Sequence, residues 1–196
     1  MAENVSAATD GAARKVRCHW VNPNNEVYVA YHDKEWGVPC HDDRALFELL
    51  VLECFQVGLS WETILNKREA FRAAFDDFDP LAVSGFDQTK VKDLMDDAGI
   101  VRNRHKINAA IRNASAFLRV QEEFGSFDSY IWGFVHGESI ADDGSLGLAD
   151  DLGKQVSRDL KKRGFTYVGP VVARSFLQAC GIVNGHEPQC FRCACE

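Results

Sequence analysis

The sequence lacks a long apolar run. No stretch approaches the roughly 18 uninterrupted apolar residues of a membrane-spanning helix, and residues 1–17 contain no apolar segment typical of an export signal. After Cys18 there is no linker rich in serine, glycine or proline, and no internal repeat. We therefore expect a protein of the cytosol or nucleoid, with a disordered tail over residues 1–15 and a single helical domain over residues 16–196.

An excess of positive charge is also missing. The 22 Lys and Arg residues face 29 Asp and Glu residues, which gives a net charge of −7. This balance excludes a nucleic-acid footprint spread over the whole surface, so any contact with DNA must be local. No heptad seam is present, and we expect a monomer.

The cysteine count does not fit a disulfide framework. There are seven cysteines, an odd number, and no secretory signal accompanies them. Reduced thiols and metal ligands are the better interpretation.

Hydrophobic periodicity predicts an all-α fold. Asp42 and Asp43 can cap a buried central helix that runs through residues 44–55 and ends near Gly58. The clearest amphipathic pattern covers residues 104–124 and stops at Gly125. No convincing pair of alternating strands is evident. The other predicted elements are a helix over residues 61–75 that Asp79–Pro80 breaks, helices over 87–97 and 127–135, a solvated loop over 137–151, and a helical hairpin over 152–181.

The predicted hairpin has the features of a phosphate-binding turn. Gly164 can end its first helix, and Gly169 followed by Pro170 can open the second, whose N-terminal amides would point outward. Basic residues precede the turn, namely Lys154, Arg158, Lys161, Lys162 and Arg163. An ordinary helix pair with a solvated basic face is the alternative, and the same two interpretations apply to Arg102, Arg104, His105 and Lys106.

Four residues near the two ends of the chain suggest a metal site. Cys18 and His32 lie near one end, and His186 and Cys190 lie near the other in an H-x3-C spacing. Two thiolates and two imidazoles complete a tetrahedral zinc shell without an open position, so such a site would be structural. Unligated thiols and ordinary histidines remain an alternative, and other residues compete as ligands: His19, Cys40, His41, Cys193 and Cys195.

A glutamate is predicted inside a buried helix beside a group of aromatic residues. Glu53 lies in the string VLECF, and buried glutamates are rare unless they are paired or functional. An ion pair with an arginine is one interpretation. The other is a carboxylate in an aromatic pocket that binds a planar heterocycle, with walls from Trp20, Tyr28, Tyr31, Trp36 and Trp61. These aromatic residues can equally be core residues.

Several strings in one order resemble the bacterial 3-methyladenine DNA glycosylase I family. They are C-H-W at 18–20, Y-V-A-Y-H-D-K-E-W-G-V-P at 28–39, L-E-C-F-Q-V-G-L-S-W at 52–61, D-A-G-I-V-R-N-R-H-K-I at 97–107, L-K-K-R-G-F-T-Y-V-G at 160–169 and Q-A-C-G-I-V-N-G-H at 178–186. The resemblance spans about residues 17–190.

This resemblance implies a helix-hairpin-helix enzyme that removes 3-methyladenine from alkylated double-stranded DNA. The family's base-recognising glutamate falls on Glu53, and its zinc ligands fall on Cys18, His32, His186 and Cys190. Its pocket aromatics fall on the five Trp and Tyr residues above, although the spacing from Trp20 to Tyr28 is one residue longer here. Cys54 and Phe55 also depart from the family's pattern. The expected DNA-binding residues are those of the predicted hairpin, namely Gly164, Gly169, Lys161, Lys162 and Arg163.

Three alternatives to this activity are a glycosylase with a lyase step, a protein that only binds damaged DNA, and a zinc hydrolase. No lysine occurs between Gly164 and Arg174, so a Schiff-base lyase step is not supported and water is the expected nucleophile. A protein that binds damaged DNA without cutting it needs the hairpin but no carboxylate in the pocket. A zinc hydrolase needs an open metal position.

Overall fold

The computed structural model describes residues 15–142 and 147–193. The proposed tail over residues 1–15 lies almost wholly outside these ranges, as do Cys195 and the middle of the predicted 137–151 loop. Within them, the α-helices are α1 (Glu26–Lys34), α2 (Asp43–Gln56), α3 (Trp61–Leu65), α4 (Arg68–Ala74), α5 (Pro80–Ser84), α6 (Gln88–Asp96), α7 (Arg104–Phe124), α8 (Phe127–Trp132), α9 (Leu148–Lys162) and α10 (Pro170–Ala179). Two short 3₁₀ turns occupy Asp76–Phe78 and Gly133–Val135.

Helix α2 lies at the centre of the core, as the sequence predicts. The Asp42 side chain accepts a hydrogen bond from the Ala45 amide at 2.8 Å, and every residue from Leu46 to Phe55 is buried. Because both apolar and acidic residues on this helix are enclosed, other elements must pack around most of α2. The covering elements include α3, α7, α8 and α10.

Aromatic rings fill the space around α2. Phe117 of α7 stacks on Phe127 of α8 with ring centroids 4.1 Å apart, and it also meets Phe47 of α2 at 5.1 Å. On another side, Phe55 of α2 meets Phe71 of α4 at 4.8 Å. These contacts fix how α4, α7 and α8 sit against α2.

The predicted helix over residues 61–75 is wrong as a single element. The chain forms α3 and α4 instead, with a break at Asn66–Lys67. At the break the Lys67 backbone leaves the helical region, with φ of −106° and ψ of 0°. The Lys67 ammonium donates to the carbonyls of Ala98 and Gly99 at 3.0 and 3.1 Å, a tertiary contact that accompanies the break. The predicted break at Asp79–Pro80 is confirmed, but Asp79 also caps α5, which the sequence analysis missed. Helix α1, capped by Asn25, was missed as well.

The all-α prediction is confirmed except for one short strand pair. Strands β1 (Ile140–Ala141) and β2 (Val183–Asn184) pair in parallel, with Ile140 opposite Val183. Two-residue strands leave no alternating pattern in a sequence, so only the approach of the two segments reveals them. None of the helices in residues 15–142 and 147–193 is long and apolar enough to span a membrane.

The helical pair α9–α10 begins earlier than predicted. Helix α9 starts at Leu148 rather than at residue 152, because the Asp142 carboxylate accepts a hydrogen bond from the Ala149 amide at 2.7 Å. This distant side chain supplies the N-terminal cap that Gly147 cannot. The two helices pack against each other, and residues 164–169 join them; we call this segment the hairpin turn.

Candidate functional site

A cavity of about 200 Å³ opens beside α2. It contains every aromatic residue predicted for a pocket, together with Glu53. Its lining consists of Trp20, Tyr28, Tyr31, Trp36, Glu53, Gln56, Trp61, Ser175 and Gln178. Gln56 is not among the predicted pocket residues, although it follows Glu53 by three residues on the same helix. Ser175 and Gln178 were not predicted either, because only the packing of α10 brings them to this cavity.

Helix α1 and the segments beside it hold the aromatic wall. Tyr28 and Tyr31 lie three residues apart on α1 and therefore share one face. Trp20 meets Tyr28 at a ring-centroid distance of 5.4 Å, and Tyr31 meets Trp61 at the same distance. A hydrogen bond of 2.8 Å from the Asn25 amide group to the Glu62 carboxylate ties α1 to α3. The wall is thus built from several elements that brace one another.

The Glu53 carboxyl group is buried without a partner. Its exposed fraction is 5%, and it makes no hydrogen bond or ion pair with any residue in the described part of the chain. Glu53 therefore does not form the ion pair with an arginine that was its alternative interpretation. Glu48 forms such pairs, with Arg68 at 2.6 Å and Arg72 at 2.9 Å. Burial raises the pKa of Glu53 to about 8. Glu53 is therefore mostly protonated near pH 7, and a bound cation would favour its charged form.

The four predicted metal ligands come together on the far side of α1. Cys18, His32, His186 and Cys190 are all buried, and their ligand atoms lie within 4.8 Å of one another. Three S–N distances in this cluster are 3.4 Å. A tetrahedron with Zn–S of about 2.3 Å and Zn–N of about 2.0 Å has an S–N edge of roughly 3.5 Å, so the cluster fits such an ion.

The surroundings of the two histidines suit the same ion. His32 Nδ1 lies 2.8 Å from the Asp33 carboxylate, and His186 Nε2 lies 3.1 Å from the Trp36 carbonyl. If these nitrogens carry the protons, His32 Nε2 and His186 Nδ1 are free to bind metal. Burial lowers the pKa of His186 to about 4, which keeps this imidazole neutral at pH 7. Backbone amides of Glu187 and Arg192 also point at the sulfur atoms of Cys18 and Cys190, each at 3.4 Å.

The competing ligands lie outside this cluster. His19 contacts the Glu187 carboxylate, and His41 Nδ1 lies 2.8 Å from the Asp128 carboxylate. Neither Cys40 nor Cys193 belongs to the group of potential ligands found in the described residues. Five cysteines in those residues are free thiols, namely Cys18, Cys40, Cys54, Cys180 and Cys190.

The hairpin turn has the backbone that the sequence predicts. Gly164 has a φ of +96°, and Gly169 precedes Pro170, the first residue of α10. Lys161 and Lys162 are exposed. Arg163, in contrast, binds the Asp159 and Glu123 carboxylates, each at 2.7 Å, so its charge is already compensated.

The second basic patch is divided by burial. Arg102, Arg104 and His105 are exposed, whereas Lys106 is only 6% exposed. The Lys106 ammonium donates to the carbonyls of Phe55 and Val57, so this residue is not part of an outer basic face.

Comparison with known proteins gives the family of this chain. The family model for methyladenine glycosylase matches residues 20–193. The chain belongs to the methyladenine glycosylase family. Among its relatives are DNA-3-methyladenine glycosylase 1 of Escherichia coli K12, with 44% identity over 89% of this chain and 95% of the relative, and DNA-3-methyladenine glycosylase of Haemophilus influenzae, with 38% identity over 89% and 96%.

Solved structures of the family share the fold. A crystal structure of 3-methyladenine DNA glycosylase I has a TM-score of 0.83 and 42% identity, covering 90% of this chain and 98% of its own. A Staphylococcus aureus structure that describes 3-methyladenine recognition has a TM-score of 0.82 and 38% identity, covering 88% and 94%. The mostly helical fold is therefore that of this family.

The buried Glu53 predicts a pH-dependent stability. Its pKa is raised from 4.5 to about 8, so the free energy of unfolding falls as the pH rises from about 4.5 and levels off above about 8. Glu53→Gln removes this titration while keeping the shape of the side chain. Above about pH 8, we expect the free energy of unfolding of the variant to be a few kcal/mol higher than that of the wild type. This difference should shrink as the pH falls toward 4.5.

Urea unfolding of both proteins across this range measures the effect. The exposed Glu138→Gln is the control and should follow the wild type at every pH. A stability difference between Glu53→Gln and the wild type that does not change with pH would contradict the prediction.

Proposed function

We propose that this protein is a monofunctional DNA glycosylase that flips 3-methyladenine out of alkylated double-stranded DNA and removes it by hydrolysis. The observation that carries this proposal is the unpaired Glu53 carboxyl group inside an aromatic cavity, in a member of the methyladenine glycosylase family. A target base in a duplex must leave the stack to enter such a cavity.

The positive charge of the base explains how the pocket selects it. Methylation at N3 makes the adenine ring cationic while it is attached to the sugar. Stacking of that ring on Trp and Tyr side chains contributes about 0.5 to 2 kcal/mol per favourable contact. The same charge lowers the pKa of Glu53, which then becomes a carboxylate able to bind the base. Neutral adenine carries no charge that could lower the pKa of Glu53, so the pocket discriminates against it.

Little further catalysis is needed to break the bond. The methylated base departs as a neutral molecule, so the glycosidic bond is already weakened. No lysine lines the pocket, and none occurs between Gly164 and Arg174. Water is therefore the nucleophile, and the product is an abasic site. Glu53 acts by binding the base and stabilising its charge.

The hairpin turn is the proposed anchor for the DNA backbone. Exposed Lys161 and Lys162 supply positive charge at the end of α9, and the amides at the start of α10 supply the positive end of a helix dipole. Gly169 needs no special backbone angle, with φ of −61°, and a Cβ there would meet no described atom within 4 Å. Its lack of a side chain suits close approach of a phosphate. Arg163 contributes by holding the turn through its carboxylate partners.

A structural zinc ion is the proposed occupant of the four-residue cluster. Cys18, His32, His186 and Cys190 would supply all four ligands, so the ion holds the two ends of the chain together and takes no part in the reaction. A zinc hydrolase is disfavoured because such a shell has no open position. The thiols of Cys40, Cys54 and Cys180 and a thiolate-ligated metal also suit a reducing compartment, so we propose a cytoplasmic protein. We propose a monomer because the sequence has no heptad seam.

Excision is tested with randomly methylated duplex DNA, and the released bases are identified by chromatography and mass. We expect the wild type to release 3-methyladenine with little 7-methylguanine. Glu53→Gln should lower the rate by about 100-fold or more, because a preorganised charge partner of the base is lost. The control Glu138→Gln should be fully active.

Either of two results would contradict this function. DNA binding without base release would indicate a damage-binding protein. Full activity of Glu53→Gln would remove this residue from the mechanism.

Zinc is tested by elemental analysis of the purified protein. We expect about one zinc per chain, with four side-chain ligands. Cys190→Ala should lose the metal and lower the melting temperature by roughly 5–10 °C, because metal binding contributes to folding. Cys40→Ser is the matched thiol control and should keep both properties. A metal-free protein of unchanged thermal stability would refute the structural role.

The phosphate anchor is tested with Gly169→Ala. The added methyl group fits the folded chain but obstructs a phosphate, so duplex DNA affinity should fall by about tenfold, the equivalent of one charge-assisted hydrogen bond. Gly133→Ala is the matched control, since Gly133 has a φ of −58° and similar open space but lies after α8. Equal DNA affinity of the two variants would show that Gly169 does not meet a phosphate.

A further inference from the structure

Helix α7 touches two segments that flank the end of α2. One is the hairpin turn. The other is the segment 57–60, which we call the rim loop because it connects the pocket residues Gln56 and Trp61. No residue of α7 lines the pocket itself. Its two buried polar side chains that reach these segments are Asn113 and Lys106.

Asn113 uses both ends of its amide group on the hairpin turn. It is fully buried, and its Nδ2 donates to the Thr166 carbonyl at 3.0 Å. Its Oδ1 accepts from the Thr166 amide at 2.8 Å. The turn needs such support, because Tyr167 has a φ of +59°, which is unfavourable for a residue with a Cβ. The contact therefore fixes a backbone that the turn residues would not adopt by themselves.

The same network reaches the helix that carries Glu53. Cys54, the next residue of α2, has its thiol 3.5 Å from the Tyr167 carbonyl and 3.8 Å from Asn113 Nδ2. The hairpin turn is thus fastened both to α7 and to α2.

Lys106 makes the corresponding contact with the rim loop. Its ammonium donates to the carbonyls of Phe55 at 2.9 Å and Val57 at 2.5 Å, where α2 ends. A positive charge at the C-terminus of a helix is favourable, and it also satisfies carbonyls that lack helical partners. Lys106 and Asn113 lie seven residues apart, so they share one face of α7 at a separation of about 10.5 Å along its axis.

We propose that Asn113 and Lys106 are positioning residues that set the spacing between the hairpin turn and the rim loop. This inference rests on the proposed function, in which the hairpin turn holds the DNA backbone and the pocket receives the flipped base. The two turns of α7 between Lys106 and Asn113 keep the hairpin turn at a fixed distance from the rim loop. DNA held by the hairpin turn is thereby aligned with the mouth of the pocket. Loss of either contact then impairs steps that need DNA and spares binding of the free base.

The experiment compares Asn113→Ala and Lys106→Met with Asn108→Ala. Asn108 is on the same helix and makes no side-chain hydrogen bond with the described residues, which makes it a matched control. Three quantities are measured well below each melting temperature. They are the affinity for methylated duplex DNA, the kcat and KM of base release, and the affinity for free 3-methyladenine from tryptophan fluorescence.

We expect each positioning variant to weaken DNA affinity and raise KM by about tenfold, the effect of losing one or two buried hydrogen bonds. Affinity for free 3-methyladenine should stay within about twofold of the wild type, because neither substitution removes a residue that lines the pocket. The control should match the wild type in all three quantities.

Other outcomes overturn the proposal. DNA affinities equal to that of Asn108→Ala would show that the two contacts serve only folding. A parallel loss of free-base affinity would show that they act through the pocket. If Asn113→Ala does not fold, Lys106→Met decides alone, because methionine retains the apolar stem. If the wild-type protein released no base, the proposed function itself would be refuted, and the same measurement of base release would show this.

Discussion

Helix α2 is buried from Leu46 to Phe55, and a carboxyl group on such a helix has little access to water. The protein compensates one of its buried acids and leaves another uncompensated. Glu48 receives two arginines, whereas Glu53 receives none and faces the cavity. In the proposed function, a positively charged planar base that enters the cavity supplies the partner that Glu53 lacks.

The pocket and the four-residue metal cluster depend on the same short helix. Tyr28 and Tyr31 of α1 face the pocket, while His32, the next residue, faces the cluster. Trp36 lines the pocket and accepts the His186 contact through its carbonyl. A metal at this site would hold α1 against the C-terminal segment and so keep the aromatic wall in place. Its influence on the reaction would be indirect.

The proposed function requires an acidic protein to bind DNA through local features of its surface. Several basic residues are internally compensated, as Arg163 is by Asp159 and Glu123. Lys161 and Lys162 at the end of α9 are exposed, and no side chain caps the start of α10. Backbone amides and a helix dipole attract phosphate without adding net charge, so a phosphate anchor of this kind is compatible with the net charge of −7 of the whole chain.

Much of the local structure follows from neighbouring residues in the sequence. Asp42 caps α2 and Pro80 begins a helix, while Gly164 takes the left-handed region, because each depends on contacts within a few positions. The aromatic residues, Glu53 and the four metal ligands were also found as candidates from their types and spacing. What these local patterns could not give is the placement of groups far apart in the chain. Lys67 contacts carbonyls about 30 residues away at the point where a predicted helix breaks, and Ser175 and Gln178 complete the pocket. Periodicity reports which face of a helix is apolar, but the partner of a buried polar group is chosen only when the helices pack.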